Sequence, residues 1–135
     1  MIYLDSSALL KLLVEEAESA PLAAWLTGHT EQTRATSVVA KVEVLRAIRR
    51  LATDAVPAAT ALLSQLDLVP VSEPVVDAAT VVGDVALRSL DAIHLASALS
   101  LGQALTALVA YDRRLCAAAL AAGVTVERPG SIDHR

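Results

Sequence analysis

The sequence predicts a three-layer α/β fold, with a central parallel sheet of about five short strands and helices on both faces. Short apolar runs near residues 2–5, 34–36, 68–71, 105–111 and 124–127 alternate with stretches whose apolar residues recur at three- and four-residue spacing. The run Leu105 to Tyr111 is apolar almost throughout, as expected of a central strand buried on both faces. A chain of 135 residues suffices for one core, and with 55% hydrophobic but only 2% aromatic residues that core must be built from Leu, Val and Ala.

Residues 2–5 read as the first strand, ending in Asp5. Ser6 or Ser7 is the expected cap of the following helix, in which Leu9, Leu10, Leu12 and Leu13 precede the solvated acids Glu15, Glu16 and Glu18. Pro21 suits the first turn of a second helix, which packs through Leu22, Trp25 and Leu26 and stops at Gly28. After a strand at Arg34 to Thr36, Ser37 caps a long helix with an expected apolar stripe of Val38, Val42, Leu45, Ile48 and Ala52; Glu43 lies beside that stripe. A helix from Pro57 carries Leu62, Leu63 and Leu66. The strand Leu68 to Val71 contains Pro70 and so belongs at an edge. Another helix opens at Ser72-Glu73-Pro74, with Val75, Ala78, Ala79, Val82 and Leu87 facing inward. Ser89 is the expected cap of the next, placing Asp91 in its first turn and Leu90, Ile93, Ala96 and Ala98 against the core. Gly102 ends it. The central strand then runs to Asp112, a helix extends from Arg113 to Ala121, and a last strand at Val124 to Glu127 leads into a polar tail at 130–135. One domain over 1–135 accommodates all of this.

Eleven Lys and Arg against fifteen Asp and Glu give a net charge of −4, which argues against a protein that coats nucleic acid; any polyanion needs local basic patches or bound cations. The single Cys116 excludes an internal disulfide, fits a reducing compartment and reads as a core thiol. Met1 leads straight into a strand and Lys11 interrupts the next apolar run, so no secretory leader is expected. Ala92 to Tyr111 has no Asp, Glu, Lys or Arg over twenty residues, but its polar residues and Gly102 fit a helix, a break and a buried strand better than a membrane span. A cytoplasmic protein is the expectation.

Four acids stand out by position. Asp5 and Asp112 end apolar strands, Asp91 opens a helix and Glu43 borders an apolar helix face. Acids at such places need a positive partner, because desolvating a charge costs far more than burying a neutral polar group. One reading pairs Arg46 with Glu43 and Arg88 with Asp91, leaving Asp5 and Asp112 as caps. The other gathers all four acids around Mg²⁺ or Mn²⁺, which prefer hard oxygen ligands and keep several waters. Two such ions roughly 3.5 to 4 Å apart stabilise the attacking and leaving oxygens of a displacement at phosphorus.

Tyr3-Leu4-Asp5-Ser6-Ser7-Ala8-Leu9, the mid-helix Glu43, Leu90-Asp91-Ala92-Ile93-His94-Leu95-Ala96 and Tyr111-Asp112-Arg113-Arg114-Leu115 together resemble the four acidic motifs of PIN-domain ribonucleases. More narrowly they resemble the VapC toxins of bacterial VapBC toxin–antitoxin systems, from Met1 to about Pro129. The resemblance implies the PIN-like version of the three-layer fold, a Mg²⁺- or Mn²⁺-dependent endoribonuclease, a homodimer, and a cognate VapB-like antitoxin whose tail covers the active site. It also implies Asp5 and Asp91 as principal metal ligands, with Glu43 and Asp112 completing the catalytic pocket and Ser6 or Ser7 capping the first helix or holding a water. Many relatives carry Thr two residues before the last aspartate, where this chain has Ala110.

The implied chemistry is attack on an RNA phosphodiester by a water that a carboxylate orients and a divalent ion activates. Arg113 and Arg114 oppose the dipole of the helix they open, which makes them candidates for binding an RNA phosphate. Lys41, Arg46, Arg49 and Arg50 form a basic stretch that reads first as solvated surface and second as an RNA guide. His94 reads as a structural donor. A phosphatase of the haloacid-dehalogenase type needs a second aspartate where Ser7 stands. A silent PIN-fold binding partner is the remaining alternative, and intact acids at all four positions argue against it.

Overall fold

A computed structural model describes residues 1–131 of the chain. It contains β1 (Ile2–Leu4), α1 (Ser6–Lys11), α2 (Ser19–Thr27), β2 (Arg34–Ser37), α3 (Val38–Leu51), α4 (Val56–Ser64), β3 (Asp67–Val69), α5 (Glu73–Ala79), α6 (Ser89–Leu99), β4 (Ala107–Val109), α7 (Arg113–Ala121) and β5 (Val126–Glu127). All five strands are parallel, in the order β3-β2-β1-β4-β5, and the proline-flanked β3 is at an edge as its sequence requires. The end of the polar tail, residues 132–135, lies outside the described residues.

Alternation along the central strands sorts side chains to the two faces. Ile2, Leu4 and Val109 join a core with α1 to α4, whereas Tyr3, Leu108 and Ala110 face α6 and α7. After β3 the chain returns through α5 and α6 to place β4 on the other side of β1. Connections from β1 and β4 therefore diverge, and in open α/β sheets the carboxyl ends of strands that part in this way are where ligands bind.

Several elements differ from their expected form. β1 stops at Leu4, and Asp5 itself caps α1, taking the backbone N–H of Ala8 at 3.0 Å, so neither Ser6 nor Ser7 is the cap. A short carboxylate one residue past a strand satisfies an orphan N–H as well as a hydroxyl does. In α3 the buried residues are Ala40, Val44, Ala47 and Ile48, while Val38 and Val42 are exposed, Val42 by 59%. Both sets have helical spacing; the helix packs through the one containing two alanines, which allow closer approach to its neighbours. α5 ends at Ala79, and Val82 and Leu87 reach the core from the loop beyond it, where Gly83 turns the backbone with φ 71°. α6 is preceded by Arg88, without a side-chain cap, and Ser89 is its first residue. Its inward face includes His94, Leu95 and Ser97, while Leu90 is exposed.

The apolar segment before Tyr111 is a helix, a 3-10 turn and a strand, as anticipated. Among the described residues, no helix is long and apolar enough to cross a membrane. Cys116 is buried, with its thiol 3.4 Å from the Ala110 carbonyl oxygen, as a core thiol should be.

The face that α3 buries is open to a direct test. Val44→Ala should cost about 1–3 kcal/mol, because two methyl groups are removed and the space they filled is left behind. Val42→Ala should stay within about 0.5 kcal/mol of the parent. Urea unfolding of both variants measures the difference, and equal costs would contradict the observed packing.

Candidate active site

The carboxyl ends of β1 and β4 carry Asp5 and Asp112, and each spends one carboxylate oxygen on the helix that follows. Asp5 Oδ1 accepts from Ala8 N and from Ser7 Oγ at 2.7 Å. Asp112 Oδ1 accepts from Leu115 N at 2.9 Å, capping α7. Capping and site formation are thus compatible, because the second oxygen of each stays available. Among the described residues Asp5 Oδ2 takes no hydrogen bond, and Asp112 Oδ2 takes one from Arg88 Nη2 at 3.1 Å.

Arg88 also donates through Nε to Asp91 Oδ2 at 3.2 Å, so one guanidinium spans two of the four acids. The expected Arg88–Asp91 pair is present and extends to Asp112. The expected Arg46–Glu43 pair does not form. Glu43 Oε1 instead accepts from Ser6 Oγ at 2.5 Å and lies 2.7 Å from His94 Nε2.

His94, expected as a structural donor, is buried and sits against Glu43, a partner that the sequence did not indicate. Its side chain is 1% exposed, its Nδ1 lies 2.7 Å from Tyr3 Oη, and Ser6 Oγ is 3.1 Å from its Nε2. The sequence signal was its place three residues after Asp91, on the same side of the helix. Ser7 has a second task as well, since its Oγ accepts the Tyr111 N–H at 3.2 Å and ties the segment beyond β4 to Asp5. Ala110 is buried and contributes no hydroxyl there. Arg113 and Arg114 are exposed at the start of α7 beside Asp112.

Environment separates the acids electrostatically. Burial pushes the Asp5 carboxyl up, against His94, Ser7 and the Ala8 N–H, and the charge of nearby Asp91 pushes it further. For Glu43, burial also acts upward, but hydrogen bonds from His94 and Ser6 hold the group below its ordinary range. Burial, assisted by Asp5, keeps the Tyr3 phenol protonated far above neutral pH.

Among the described residues, no three or more His, Cys, Asp or Glu side chains are gathered closely enough to enclose a metal ion. The donors at hand are oxygens, since both nitrogens of His94 are already engaged. A buried carboxylate with one unbonded oxygen, raised by a neighbouring carboxylate, fits a hard divalent cation that uses one or two carboxylates and keeps its waters; it does not fit a closed cage.

Residues 2–120 match the PIN domain family. The chain is 42% identical to Ribonuclease VapC47 of Mycobacterium tuberculosis (strain CDC 1551 / Oshkosh) over 135 residues, covering 98% of this chain and 99% of that protein. It is 46% identical over 132 residues to Ribonuclease VapC35 of Mycobacterium tuberculosis (strain ATCC 25618 / H37Rv), covering 96% and 98%. Against Ribonuclease VapC46 of the same strain it is 43% identical over 128 residues, covering 95% and 97%. The protein therefore belongs to the PIN-domain family, in its VapC branch.

The opposite shifts of Asp5 and Glu43 predict opposite pH dependences of stability. A raised carboxyl favours the fold below its unfolded pKa and loses that contribution as pH rises through the folded value. Asp5→Asn keeps the capping oxygen and removes the charge, so in chelator near pH 7–8 it should melt about 2–8 °C above the parent. Glu43, held low, contributes above its unfolded value of about 4.5 and loses that contribution as pH falls through the lower folded value. Glu43→Gln should therefore flatten the acid limb of the stability profile. Thermal melts across pH check both, and a lower Tm for Asp5→Asn at neutral pH would contradict the first.

Proposed function

We propose that this protein is the toxin of a toxin–antitoxin pair, an endoribonuclease that hydrolyses RNA phosphodiester bonds with Mg²⁺ or Mn²⁺. The observation that carries the proposal is the Asp5 carboxylate, buried at the end of the central strand with Asp91 close by and one oxygen unbonded. Such a carboxylate is costly to the fold unless a cation compensates it. The relatives are named ribonucleases, and their similarity extends over nearly the whole chain.

Asp5 and Asp91 would hold the ion, and Glu43 and Asp112 would complete the pocket directly or through water. When bound, the ion supplies a lowered pKa to the attacking water and offsets charge on the phosphate. Glu43, kept ionised by Ser6 and His94, orients that water and accepts its proton. Arg88 adjoins Asp91 and Asp112, where its charge meets an incoming phosphate. Arg113 and Arg114 flank Asp112 and extend the anion-binding edge. Farther along α3, Arg46 and Arg50 lie three and seven residues from Glu43, on the side of the helix that Glu43 occupies. With Arg49 they line an open depression, a positive approach for RNA on a chain whose net charge is −4.

A VapB-like antitoxin and a second copy of the chain are the proposed protein partners. Exposed Val38 and Val42 on α3, with Val81 and Val85 in the loop before α6, leave apolar surface for such contacts. The proposed location is the cytoplasm, where the single thiol stays reduced.

Purified protein, free of any antitoxin, should cut a structured RNA with Mg²⁺ or Mn²⁺ and stop on addition of chelator. Asp5→Asn and Asp91→Asn should each lower the rate by at least about 100-fold while retaining the fold by circular dichroism. Parent-like cutting by either variant would remove that acid from the site, and RNA binding without cutting by the parent would favour a silent partner. Replacing Arg46, Arg49 and Arg50 together by Gln should raise KM more than it lowers kcat. The salt dependence of RNA binding should also fall, by about 0.7 in log–log slope for each phosphate that the arginines no longer neutralise.

A further inference from the structure

We propose that His94, anchored by Tyr3, is a positioning residue that holds Glu43 with one oxygen turned into the fold and the other left for the reaction; the inference rests on the ribonuclease reading of this pocket. Burial excludes a direct chemical role for His94, because a side chain 1% exposed with both ring nitrogens engaged cannot touch RNA. What it can do follows from the hydrogens.

The oxygens of a carboxylate only accept. The ring atom 2.7 Å from Oε1 is Nε2, which must therefore carry a hydrogen. On the other side, the Tyr3 phenol carries a hydrogen at neutral pH and can donate it to Nδ1 at 2.7 Å. Tyr3 and His94 also meet edge to face, with ring centroids 5.9 Å apart, which fixes the plane of the imidazole. A directed chain results, from Tyr3 O–H to Nδ1 and from Nε2–H to Glu43 Oε1. Ser6 Oγ completes it by donating to the same oxygen. Among the described residues every hydrogen bond to Glu43 falls on Oε1, and Oε2 takes none.

The anchor is in the core of the molecule. Tyr3 is in the central strand, wholly buried, and its backbone pairs with Leu108 of β4 and Ala35 of β2. Glu43 instead projects from α3, on the opposite side of the sheet from α6. His94 thus bridges the two helical layers beyond the sheet's carboxyl edge and ties the Glu43 carboxylate to the strand that leads into Asp5. Partners of this kind, which orient a group that acts on substrate or metal, typically account for about 10–100-fold in activity or affinity.

Three variants and one spectrum test the proposal. His94→Leu should lower kcat by about 10–100-fold with little change in KM for RNA. His94→Gln, whose amide can place an N–H near the Nε2 position, should recover part of that loss. Tyr3→Phe removes a single oxygen and should lower kcat in the same direction. In a Glu43→Gln background neither His94→Leu nor Tyr3→Phe should lower the rate further, because the carboxylate they position is already gone. Losses that multiply with that of Glu43→Gln in folded protein would overturn the proposal, as would parent-like kcat in His94→Leu. If His94→Leu does not fold, Tyr3→Phe and His94→Gln decide by the same comparison. The spectrum is independent of activity: in protein labelled with ¹⁵N-histidine, His94 should show an exchange-protected Nε2–H proton that shifts in both Glu43→Gln and Tyr3→Phe. A hydrogen on Nδ1 alone, or a signal indifferent to both substitutions, overturns the proposal even if the parent cuts no RNA. A parent that cuts no RNA but gives the expected spectrum leaves the positioning geometry standing and refutes the ribonuclease reading instead.

Discussion

Parallel pairing of β1 with β4 is the interaction on which the rest of the molecule depends. Ile2, Tyr3 and Leu4 align with Ala107, Leu108 and Val109, so both strands deliver their carboxyl ends to the same edge. Their outgoing chains then diverge, α1 toward one layer and α7 toward the other. An edge where successive helices part in opposite directions is not filled by backbone, and the polar residues just past each strand line the gap. Asp5 and Asp112 come to the same edge because two apolar triplets are neighbours in the sheet.

Given that edge, the protein has to hold several negative charges near one another without losing the fold. It uses several devices. Asp5 is neutralised in part by a helix start and a serine, Glu43 by a histidine and a serine, Asp112 by a helix start and Arg88, and Asp91 by the same arginine. Helix starts and hydrogen bonds stabilise a carboxylate by fixed dipoles, whereas an exposed ion pair contributes little after screening. Asp5, Glu43 and Asp112 are therefore the firmly held acids, and Asp91, whose partner is the exposed Arg88, is held loosely.

Much of this was legible in the sequence. Each apolar run became a strand, β3 took its edge, and the strand-end acids came to one side, because period-two and period-3.6 patterns and turn residues are local signals. Less legible was which of two overlapping stripes a helix buries. Val38 and Val42 in α3 have helical spacing as good as Ala40 and Val44, and only the facing layer decides between them. The same ambiguity hid His94. With Leu90 and Ile93 assigned inward, the histidine belongs to the outer half of α6; in the fold the helix is rotated so that His94 and Leu95 point in. Tyr3 gave no separate sign, since an aromatic in a strand is ordinary core until its hydroxyl finds a partner far along the chain. Arg88 read as a local pair with Asp91, and its second contact with Asp112 spans a separation of 24 residues that no local rule reaches.

Arg88 gives the mouth of the pocket a distinct kinetic character. Its side chain is 67% exposed and reaches both acids from outside. Exposed side chains change rotamer in picoseconds to nanoseconds, far faster than loops or helices move. The guanidinium can leave Asp91 and Asp112 without any displacement of β4, α6 or α7. If these acids take a divalent cation, as proposed, the slow event on its entry is the shedding of its own water, which Mg²⁺ does reluctantly, and not a movement of the polypeptide.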